Sequence, residues 1–505
     1  MEVEKTKMKK KIFRTVLTSY LSQLVGIVFG LIAPGLIISH FGSDLRGLGV
    51  TLSAYLGYFA AFDSSVPTIV QAQLYKPLAD KDYKKVNTIL SSADQFFKRQ
   101  GLMFVLYALL IGIGLPFIIQ MPFDRWTILV LTLISAFGTF VEYMFRRKHR
   151  MLLRADGKSY VSMSIGIGIR VVTQLSVIVA VTAGISYLGY KSLMAGLGLL
   201  TPILIWLYVK RHYPFLKNES TEVIPLKNNP LAVIDHILYT TRNSSAIFII
   251  SYFNGLALVS VFTLYTRFVS MFSSLAITAF NNLDFVLGHQ LATKSIEETR
   301  KSYQHQVYLW HNWFVYIYTV AACLFMAFLS HYARKFSGAD YVQPLFAYVY
   351  LVADFLQNAR TMSSYAFKAA GHWERNRKSF IFESIVLIVL SLVLFLSVGL
   401  VGLAVAAVVA NLYRLFYNNH YLSREILYID GKKSSLMSVG GALFIVVVGL
   451  SFQFLYPFQV TSYLDFILPG LAALVYVSVL LFVCNWVLSQ EFRQLTKKLV
   501  ARVFG

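Results

Sequence analysis

The chain has 505 residues, of which 57% are hydrophobic and 14% are charged, about half the charged share of a typical soluble domain. Lys and Arg outnumber Asp and Glu by 46 to 24, which gives a formal charge of +22. These basic residues lie in short clusters between long apolar runs, a membrane pattern that argues against nucleic acid as a partner. The two cysteines, Cys323 and Cys484, lie inside apolar runs, so we expect neither a disulfide framework nor a thiolate metal site.

Fourteen apolar runs are long enough to cross a bilayer, which takes about 20 helical residues. In chain order they are 12–39, 45–75, 98–120, 125–145, 159–184, 188–209, 231–253, 257–289, 306–331, 341–367, 379–398, 400–422, 437–456 and 464–488. The first run follows Lys9-Lys10-Lys11, but it is much longer than the apolar core of a cleavable signal peptide. The sequence therefore predicts an all-α polytopic membrane protein with about 14 transmembrane helices, the first run being the first span.

The distribution of basic residues predicts the orientation. The chain ends and even-numbered connections hold 36 of the 46 Lys and Arg, whereas the odd-numbered connections hold five. Because cytoplasmic connections carry the excess of Lys and Arg, both termini are expected to face the cytoplasm. The two longest connections, 76–97 and 210–230, are both on that side, and no connection is long enough for an extramembrane catalytic domain.

A weak internal repeat relates the first part of the chain to the second. Ile37-Ile38-Ser39-His40-Phe41-Gly42 recurs as Ile249-Ile250-Ser251-Tyr252-Phe253-Asn254, and Arg154-Ala155-Asp156-Gly157 recurs as Lys368-Ala369-Ala370-Gly371. Two parallel six-helix copies would form pseudo-symmetric lobes around a central cavity that holds the substrate. We expect an amino-terminal lobe at 1–210, a linker at 211–230, a second lobe at 231–422 and two additional helices at 437–488. The alternative is a duplication retained only for packing.

Motifs for catalysis are lacking: the sequence has no phosphate-binding Gly-rich loop ending in Gly-Lys-Ser/Thr, no His-Glu-x-x-His and no Cys pair at metal spacing. We therefore expect no enzyme, no cofactor and no metal. Charges inside spans are more informative, because each costs about 2.5–3.5 kcal/mol on insertion scales and usually faces a bundle interior or hydrated cavity. The candidate substrate-binding cations are Arg170, Arg242, Arg267, Arg360 and Arg414. For each, a structural ion pair is the alternative, and the last two could also extend to the cytoplasmic interface.

Helical spacing predicts two polar faces. Thr263, Arg267, Ser270, Ser274, Thr278 and Asn281 follow one another along span 8, and Asp235, Tyr239 and Arg242 share a face of span 7. Hydrogen bonds between helices are the alternative role for the hydroxyl groups. Prolines remove helical hydrogen bonds, so bends are expected at Pro34, Pro67 and Pro202, and the bend at Pro67 is a candidate gate.

The segment from Ile37 through Leu48-Gly49 to Asp63 resembles the first hairpin of Wzx-type oligosaccharide-lipid flippases. Leu74-Tyr75-Lys76-Pro77-Leu78-Ala79-Asp80-Lys81-Asp82 is similar to the cytoplasmic segment that follows in some members. With its fourteen spans and six-span repeats, nearly the whole chain resembles these flippases of the multidrug, oligosaccharidyl-lipid and polysaccharide exporter superfamily. It departs from them at Ser64 and Ser65, where members commonly carry glycine after the acid of span 2.

The resemblance implies export of undecaprenyl-diphosphate-linked repeat units from the cytoplasmic to the outer leaflet of a bacterial plasma membrane, for capsule or exopolysaccharide assembly, by alternating access. The implied partners are this lipid, the bilayer, other polysaccharide assembly proteins and a coupling proton or sodium ion. Asp63, Glu142 and Asp354 are the candidate carriers of that ion. The alternatives are a lipid II-type flippase and a multidrug cation antiporter; a membrane glycosyltransferase is disfavoured because it would need a sizeable extramembrane loop.

Overall fold

The computed structural model describes residues 2–119, 122–216, 226, 229–278, 280, 283–458, 460–489 and 492–493, and within them it contains helices and no strand. In chain order the helices are α1 Glu2–Gly57, α2 Val66–Ala79, α3 Tyr83–Ile118, α4 Arg125–Val141, α5 Arg147–Ala155, α6 Ser159–Thr182, α7 Tyr187–Gly198, α8 Leu200–His212, α9 Pro230–Phe253, α10 Leu256–Thr278, α11 Leu283–Thr293, α12 Ile296–Tyr332, α13 Pro344–Ala359, α14 Thr361–Ala369, α15 Trp373–Val398, α16 Leu400–Tyr421, α17 Gly431–Leu455 and α18 Ile467–Leu488. Short 3₁₀ segments lie at Tyr58–Asp63, Ala333–Lys335 and Tyr463–Phe466, and π-helical turns at Glu142–Arg146 and Leu422–Ile426.

Eleven helical segments of the described chain are long and apolar enough to cross a membrane. The first, Leu17–Asp63, covers most of the first two predicted runs, which meet at a break near Gly42. Helices α9 and α13 lie at the seventh and tenth predicted runs without being among the eleven. The all-α polytopic membrane fold is thus confirmed, whereas the count of fourteen spans stays a prediction.

Helix ends follow local chemistry. The side chains of Asp82, Asp124 and Asp430 each accept a hydrogen bond from the backbone N–H three residues later, which caps α3, α4 and α17. A capping oxygen satisfies one of the N–H groups that the first helical turn leaves without a partner. These polar caps therefore fix where the helices begin.

Glycines in the left-handed region occur at corresponding places in the two copies. Gly157 (φ 66°) ends α5 and Gly371 (φ 77°) ends α14, and in both turns the next residue's N–H donates to the carbonyl five residues earlier. Gly42 (φ 84°) breaks α1, and Gly255 (φ 82°) separates α9 from α10. A residue without Cβ adopts this conformation at little cost, which is why helices commonly end on glycine.

The order of elements also repeats. Helices α5 and α14 have the same length, and the distance along the chain between their first residues equals the distance between those of α6 and α15. Gly157 and Gly371, which belong to the sequence repeat, are separated by that same distance. Each copy therefore forms the same succession of helices at this point of the chain.

By packing, the chain divides into two compact units, which are Met1–Thr263 with Phe336–Ala339, and Leu264–Lys335 with Asp340–Gly505. Helix α9 belongs to the first unit, where Tyr58 Oη donates to Thr241 Oγ1 over 3.0 Å and the rings of Tyr55 and Phe248 lie 4.5 Å apart. In the same unit Gly47 packs so closely on Leu256 that a Cβ there would overlap its carbonyl oxygen. These units are defined by packing, whereas the predicted lobes are defined by the sequence repeat. The lobes at 1–210 and 231–422 therefore stay a prediction.

The two additional helices pack on α12 inside the second unit. Val448 and Phe452 of α17 and Val477 of α18 form a buried apolar cluster with Cys323 of α12. Small residues permit this close approach, since a Cβ on Gly449 would lie 2.6 Å from the Cβ of Ala322.

In the structure, the bend expected at Pro67 lies before that residue. Pro67 lies in the first turn of α2, where its missing N–H would have no helical partner, and the break precedes it at Tyr58–Asp63 and Ser64. Run 45–75 is therefore two helical pieces rather than one bent span. Pro202 likewise lies in the first turn of α8, whereas Pro34 is inside α1.

Candidate functional site

Three of the five candidate arginines occupy the midpoints of their helices. Arg170 is residue 12 of the 24 in α6, Arg242 is residue 13 of the 24 in α9, and Arg267 is residue 12 of the 23 in α10. In a helix that crosses a membrane, the midpoint is the most expensive depth for a guanidinium group in contact with lipid. At that depth a charged side chain usually faces a bundle interior or a hydrated cavity.

Arg170 is exposed and lies against the backbone of α1. A Cβ built on Gly26 would come within 3.5 Å of Arg170 Nη1, so glycine gives the guanidinium room to lie along that helix.

The predicted polar face of α10 is partly open. Arg267 and Ser270 are exposed, whereas Phe268 and Val269 between them are buried. The Ser270 hydroxyl donates to the Arg267 carbonyl over 2.7 Å, and those of Thr263 and Thr278 likewise donate to carbonyls of their own helix. Thr263 is buried, so the exposed part of this face lies at Arg267 and Ser270. Asn281, the last member of the stripe, lies outside the described residues.

Arg360 and Arg414, by contrast, meet at one buried carboxylate. Arg360 Nη2 lies 2.9 Å from Glu383 Oε1, and Arg414 Nη1 lies 2.6 Å from Glu383 Oε2. Glu383 has no exposed surface, and the two arginines are 7% and 6% exposed. Arg414 also donates to Asn376 Oδ1 over 3.1 Å. Both guanidinium groups are buried and bind Glu383, as in the structural ion pair that was the alternative role for these arginines.

Asp63 also has an arginine partner. This carboxylate is 2% exposed and forms an ion pair with Arg147 at the start of α5. The Arg147 guanidinium lies 4.0 Å from the ring centroid of Tyr143, a cation–π contact. Burial, with a smaller contribution from the positive charge of Arg150, lowers the pKa of Arg147 to about 10, so it remains a cation at neutral pH.

A second ion-pair group lies beside it in the first unit. Asp94 of α3 is bound by Lys98 and Lys148, each over 2.8 Å. Glu142, which opens the π-helical turn before α5, is partly exposed and lies 3.1 Å from Arg150. Two of the three candidate ion carriers, Asp63 and Glu142, are therefore paired with arginines.

Asp354, the third candidate, accepts hydrogen bonds from neutral groups. Ser273 Oγ donates to Asp354 Oδ2 over 2.5 Å, Tyr318 Oη also donates to it, and Asn358 Nδ2 donates over 3.2 Å. Asn358 lies four residues after Asp354 on the same helix, a spacing from which this hydrogen bond could have been predicted. Ser273 lies outside the predicted polar face of α10, and Tyr318 lies on α12, far along the chain. The sequence therefore did not point to either residue.

No known family model and no curated protein matches the chain by sequence. Solved structures are similar in fold. A lipid II flippase MurJ in an inward closed conformation has a TM-score of 0.69 at 13% identity, covering 93% of this chain and 99% of that one. An inward-facing multidrug resistance MATE family transporter of the MOP superfamily has a TM-score of 0.61 at 14% identity, covering 85% and 96%. The MATE multidrug transporter DinF-BH gives 0.58 at 14%, covering 83% and 97%.

Taken together, the helices define a multi-pass, all-α membrane protein. Its fold is similar to those of the lipid II flippase and the MATE family transporter, over most of this chain and nearly the whole of theirs. At these identities the likeness establishes the fold and leaves the substrate to be argued from the residues.

Proposed function

We propose that the protein is a flippase that moves undecaprenyl-diphosphate-linked oligosaccharide repeat units from the cytoplasmic to the outer leaflet, for capsule or exopolysaccharide assembly. Transport would proceed by alternating access of two lobes in a bacterial plasma membrane, with both termini cytoplasmic. The fold supports the transporter class. The resemblance of the segment from Ile37 to Asp63 to Wzx-type flippases supports the lipid-linked oligosaccharide.

One observation carries the proposal, and it concerns the sign of the exposed charge. The described charged side chains that are exposed at or near the middle of candidate spans are cations, namely Arg170, Arg267 and, on α3, Lys98 and Arg99. The acids Asp63 and Glu383 are buried against arginines. A hydrated space with this charge attracts an anion such as a diphosphate and repels a cationic drug.

The proposed diphosphate contacts are Arg170, Arg242 and Arg267. A guanidinium group offers two parallel donors that match a phosphate, whereas the ammonium group of Lys is a point charge. Arg360 and Arg414 were also candidates from sequence, but we leave them out of this set because they bind Glu383.

For ion coupling we propose Asp354 ahead of Asp63 and Glu142. A carrier must release and rebind a proton or sodium ion during the cycle, and the arginines bound to Asp63 and Glu142 compete with that ion for the carboxylate. Asp354 accepts from the hydroxyls of Ser273 and Tyr318, which can reorient and accept a hydrogen bond when the carboxylate gains a proton. Pro67, beside the break in span 2, remains the proposed position of a gate.

A lipid II-type flippase is the second candidate, favoured by the fold match at a TM-score of 0.69. A deletion strain separates the two. Accumulation of an oligosaccharide repeat unit on undecaprenyl diphosphate would support our proposal, whereas accumulation of lipid II would favour the alternative. Loss of resistance to cationic drugs, with neither lipid accumulating, would indicate a multidrug antiporter and contradict both.

A further inference from the structure

One face of α9 carries three side chains of different chemistry in a row. Asp235, Tyr239 and Arg242 are separated by four and three residues, so they lie on the same side of the helix over about 10 Å. A different face of α9 packs inside the first unit, through Thr241 and Phe248. The Asp235–Tyr239–Arg242 face is therefore distinct from the packing face.

Tyr239 indicates what this face borders. Its side chain is 57% exposed, and among the described residues it makes no hydrogen bond and no ring contact. A tyrosine hydroxyl without a partner is costly in the hydrocarbon core of a membrane. Arg242, one turn away, sits at the midpoint of α9, where a charge in contact with lipid is also costly. The face thus borders water rather than lipid.

Asp235 adds an acceptor with spare capacity. Its Oδ1 atom is buried and has no hydrogen-bond partner among the described residues. A buried acceptor of this kind usually binds a water molecule or a ligand donor. The face consequently offers a carboxylate acceptor, an open aromatic ring and a guanidinium group in sequence.

This combination suits a sugar attached to a phosphate. A pyranose has an apolar C–H face that stacks on an aromatic ring, and its hydroxyls donate to carboxylates. Three residues, about 4.5 Å along the helix, separate Arg242 from Tyr239, a distance comparable with the length of one sugar ring. A cationic ligand could also stack on Tyr239, with Arg242 repelling it and Asp235 attracting it, whereas a sugar phosphate makes use of both charges.

We propose that the Asp235–Tyr239–Arg242 face is a saccharide subsite, in which Tyr239 stacks on the sugar joined directly to the diphosphate. Arg242 binds the phosphate, and Asp235 accepts hydroxyl groups of the glycan beyond it. This inference rests on the proposed flippase function and deepens it, because it assigns residues to the glycan rather than to the lipid diphosphate.

The test compares two probes on the full-length protein in nanodiscs, namely undecaprenyl diphosphate and undecaprenyl-diphosphate N-acetylglucosamine. Binding is measured by native mass spectrometry, and the ratio of the two Kd values is the readout. We expect the wild type to bind the sugar-bearing lipid roughly tenfold more tightly, about 1.4 kcal/mol. Tyr239→Leu should bring the ratio to about one and leave the affinity for bare lipid unchanged, whereas Tyr239→Phe should keep the wild-type ratio.

Tyr252→Leu is the matched control, because Tyr252 is on the same helix, is 59% exposed and lies off the Asp235–Tyr239–Arg242 face. It should leave both Kd values unchanged. Equal binding of the two probes by the wild type, or an unchanged ratio in Tyr239→Leu, would overturn the subsite and leave the flippase proposal standing. Failure of the wild type to bind either lipid would overturn both proposals. Tight binding of a quaternary ammonium probe that Tyr239→Leu abolishes would assign the face to cations instead.

Discussion

Glu383 shows how the second unit accommodates charge at a single residue. Its carboxylate binds Arg360, which joins α13 to α14, and Arg414 of α16, while Glu383 itself belongs to α15. Each of these charges alone would be expensive inside the protein, and the removal of one partner leaves the others buried without compensation. One side chain therefore connects three parts of the second unit.

At this residue we predict that Glu383→Gln destabilises the protein by about 3–5 kcal/mol, because two buried guanidinium groups would lose the carboxylate that binds both of them. The measurement is the midpoint of thermal unfolding in detergent, together with abundance in the membrane. The control is Glu374→Gln, since Glu374 lies at the exposed start of the same helix and pairs with Lys378. Equal midpoints for the two variants would contradict the structural role of Glu383.

Arg242 and Arg267 are best tested by substitution with lysine, which keeps the charge and removes the planar pair of donors. We expect Arg242→Lys and Arg267→Lys to lose export of the lipid-linked repeat unit at unchanged abundance. Export is measured by complementation of a deletion strain, and abundance by immunoblot. Normal export in both variants would end the assignment of these arginines to the diphosphate.

Among the helices, glycine determines both where a helix ends and how closely two helices can pack. Gly157 and Gly371 end equivalent short helices with a positive φ, whereas Gly441 lets α17 approach α12. The first role depends on backbone conformation and the second on the space that a side chain would occupy. Substitution with alanine separates the two, since alanine adds only a Cβ.

Gly157→Ala and Gly371→Ala should each cost roughly 1–2 kcal/mol, since an L-residue in the left-handed region brings Cβ close to the following carbonyl. Unfolding midpoints in detergent give the measurement. Gly166→Ala is the control, because Gly166 lies inside α6 and a Cβ there meets nothing within 4 Å. It should be neutral or slightly stabilising. A cost for Gly166→Ala as large as that for Gly157→Ala would refute the conformational argument.

Gly440 and Gly441 form a matched pair within α17. A Cβ on Gly441 would lie 2.6 Å from His311 Cε1 and 2.8 Å from Val315 Cγ2, whereas a Cβ on Gly440 meets open space. We predict that Gly441→Ala lowers stability by about 1–3 kcal/mol through overpacking and that Gly440→Ala has little effect. The same unfolding assay checks this, and similar midpoints for the pair would show that α17 packs on α12 less tightly than the structure indicates.

Periodicity and turn chemistry predict the elements better than they predict the site. The apolar runs, the repeat and the helix end at Gly157 all follow from local sequence, because bilayer thickness and backbone sterics act locally. The pairing of Arg414 with Glu383 depends on how separate helices pack together, so Arg414 could be singled out from the sequence but its partner could not. The bend expected at Pro67 was misplaced because the chain already breaks before this residue. Pro67 therefore lies in the first turn of α2, where its missing N–H would have no helical partner.

At the scale of the whole molecule, the charge of +22 and its uneven distribution bear on orientation. We predict that Lys81 lies in the cytoplasm and that Pro457 lies outside, because they belong to an even-numbered and an odd-numbered connection. In a variant without the two native cysteines, Pro457→Cys should react with a membrane-impermeant maleimide in intact cells, and Lys81→Cys should react only after lysis. The reverse pattern would invert the proposed orientation and with it the direction of export.

The carboxylate of Glu383 also has a consequence for how the chain enters the membrane during synthesis. Helix α15 emerges from the ribosome before α16, with Gly399 alone between them, so Glu383 is made before its partner Arg414. Arg360 is made earlier still and can neutralise Glu383 first. The charge that still needs a partner when α16 is made is Arg414, and a lone charge opposes insertion of a helix. Helices α15 and α16 should therefore be released into the lipid together, as one hairpin in which Arg414 binds Glu383.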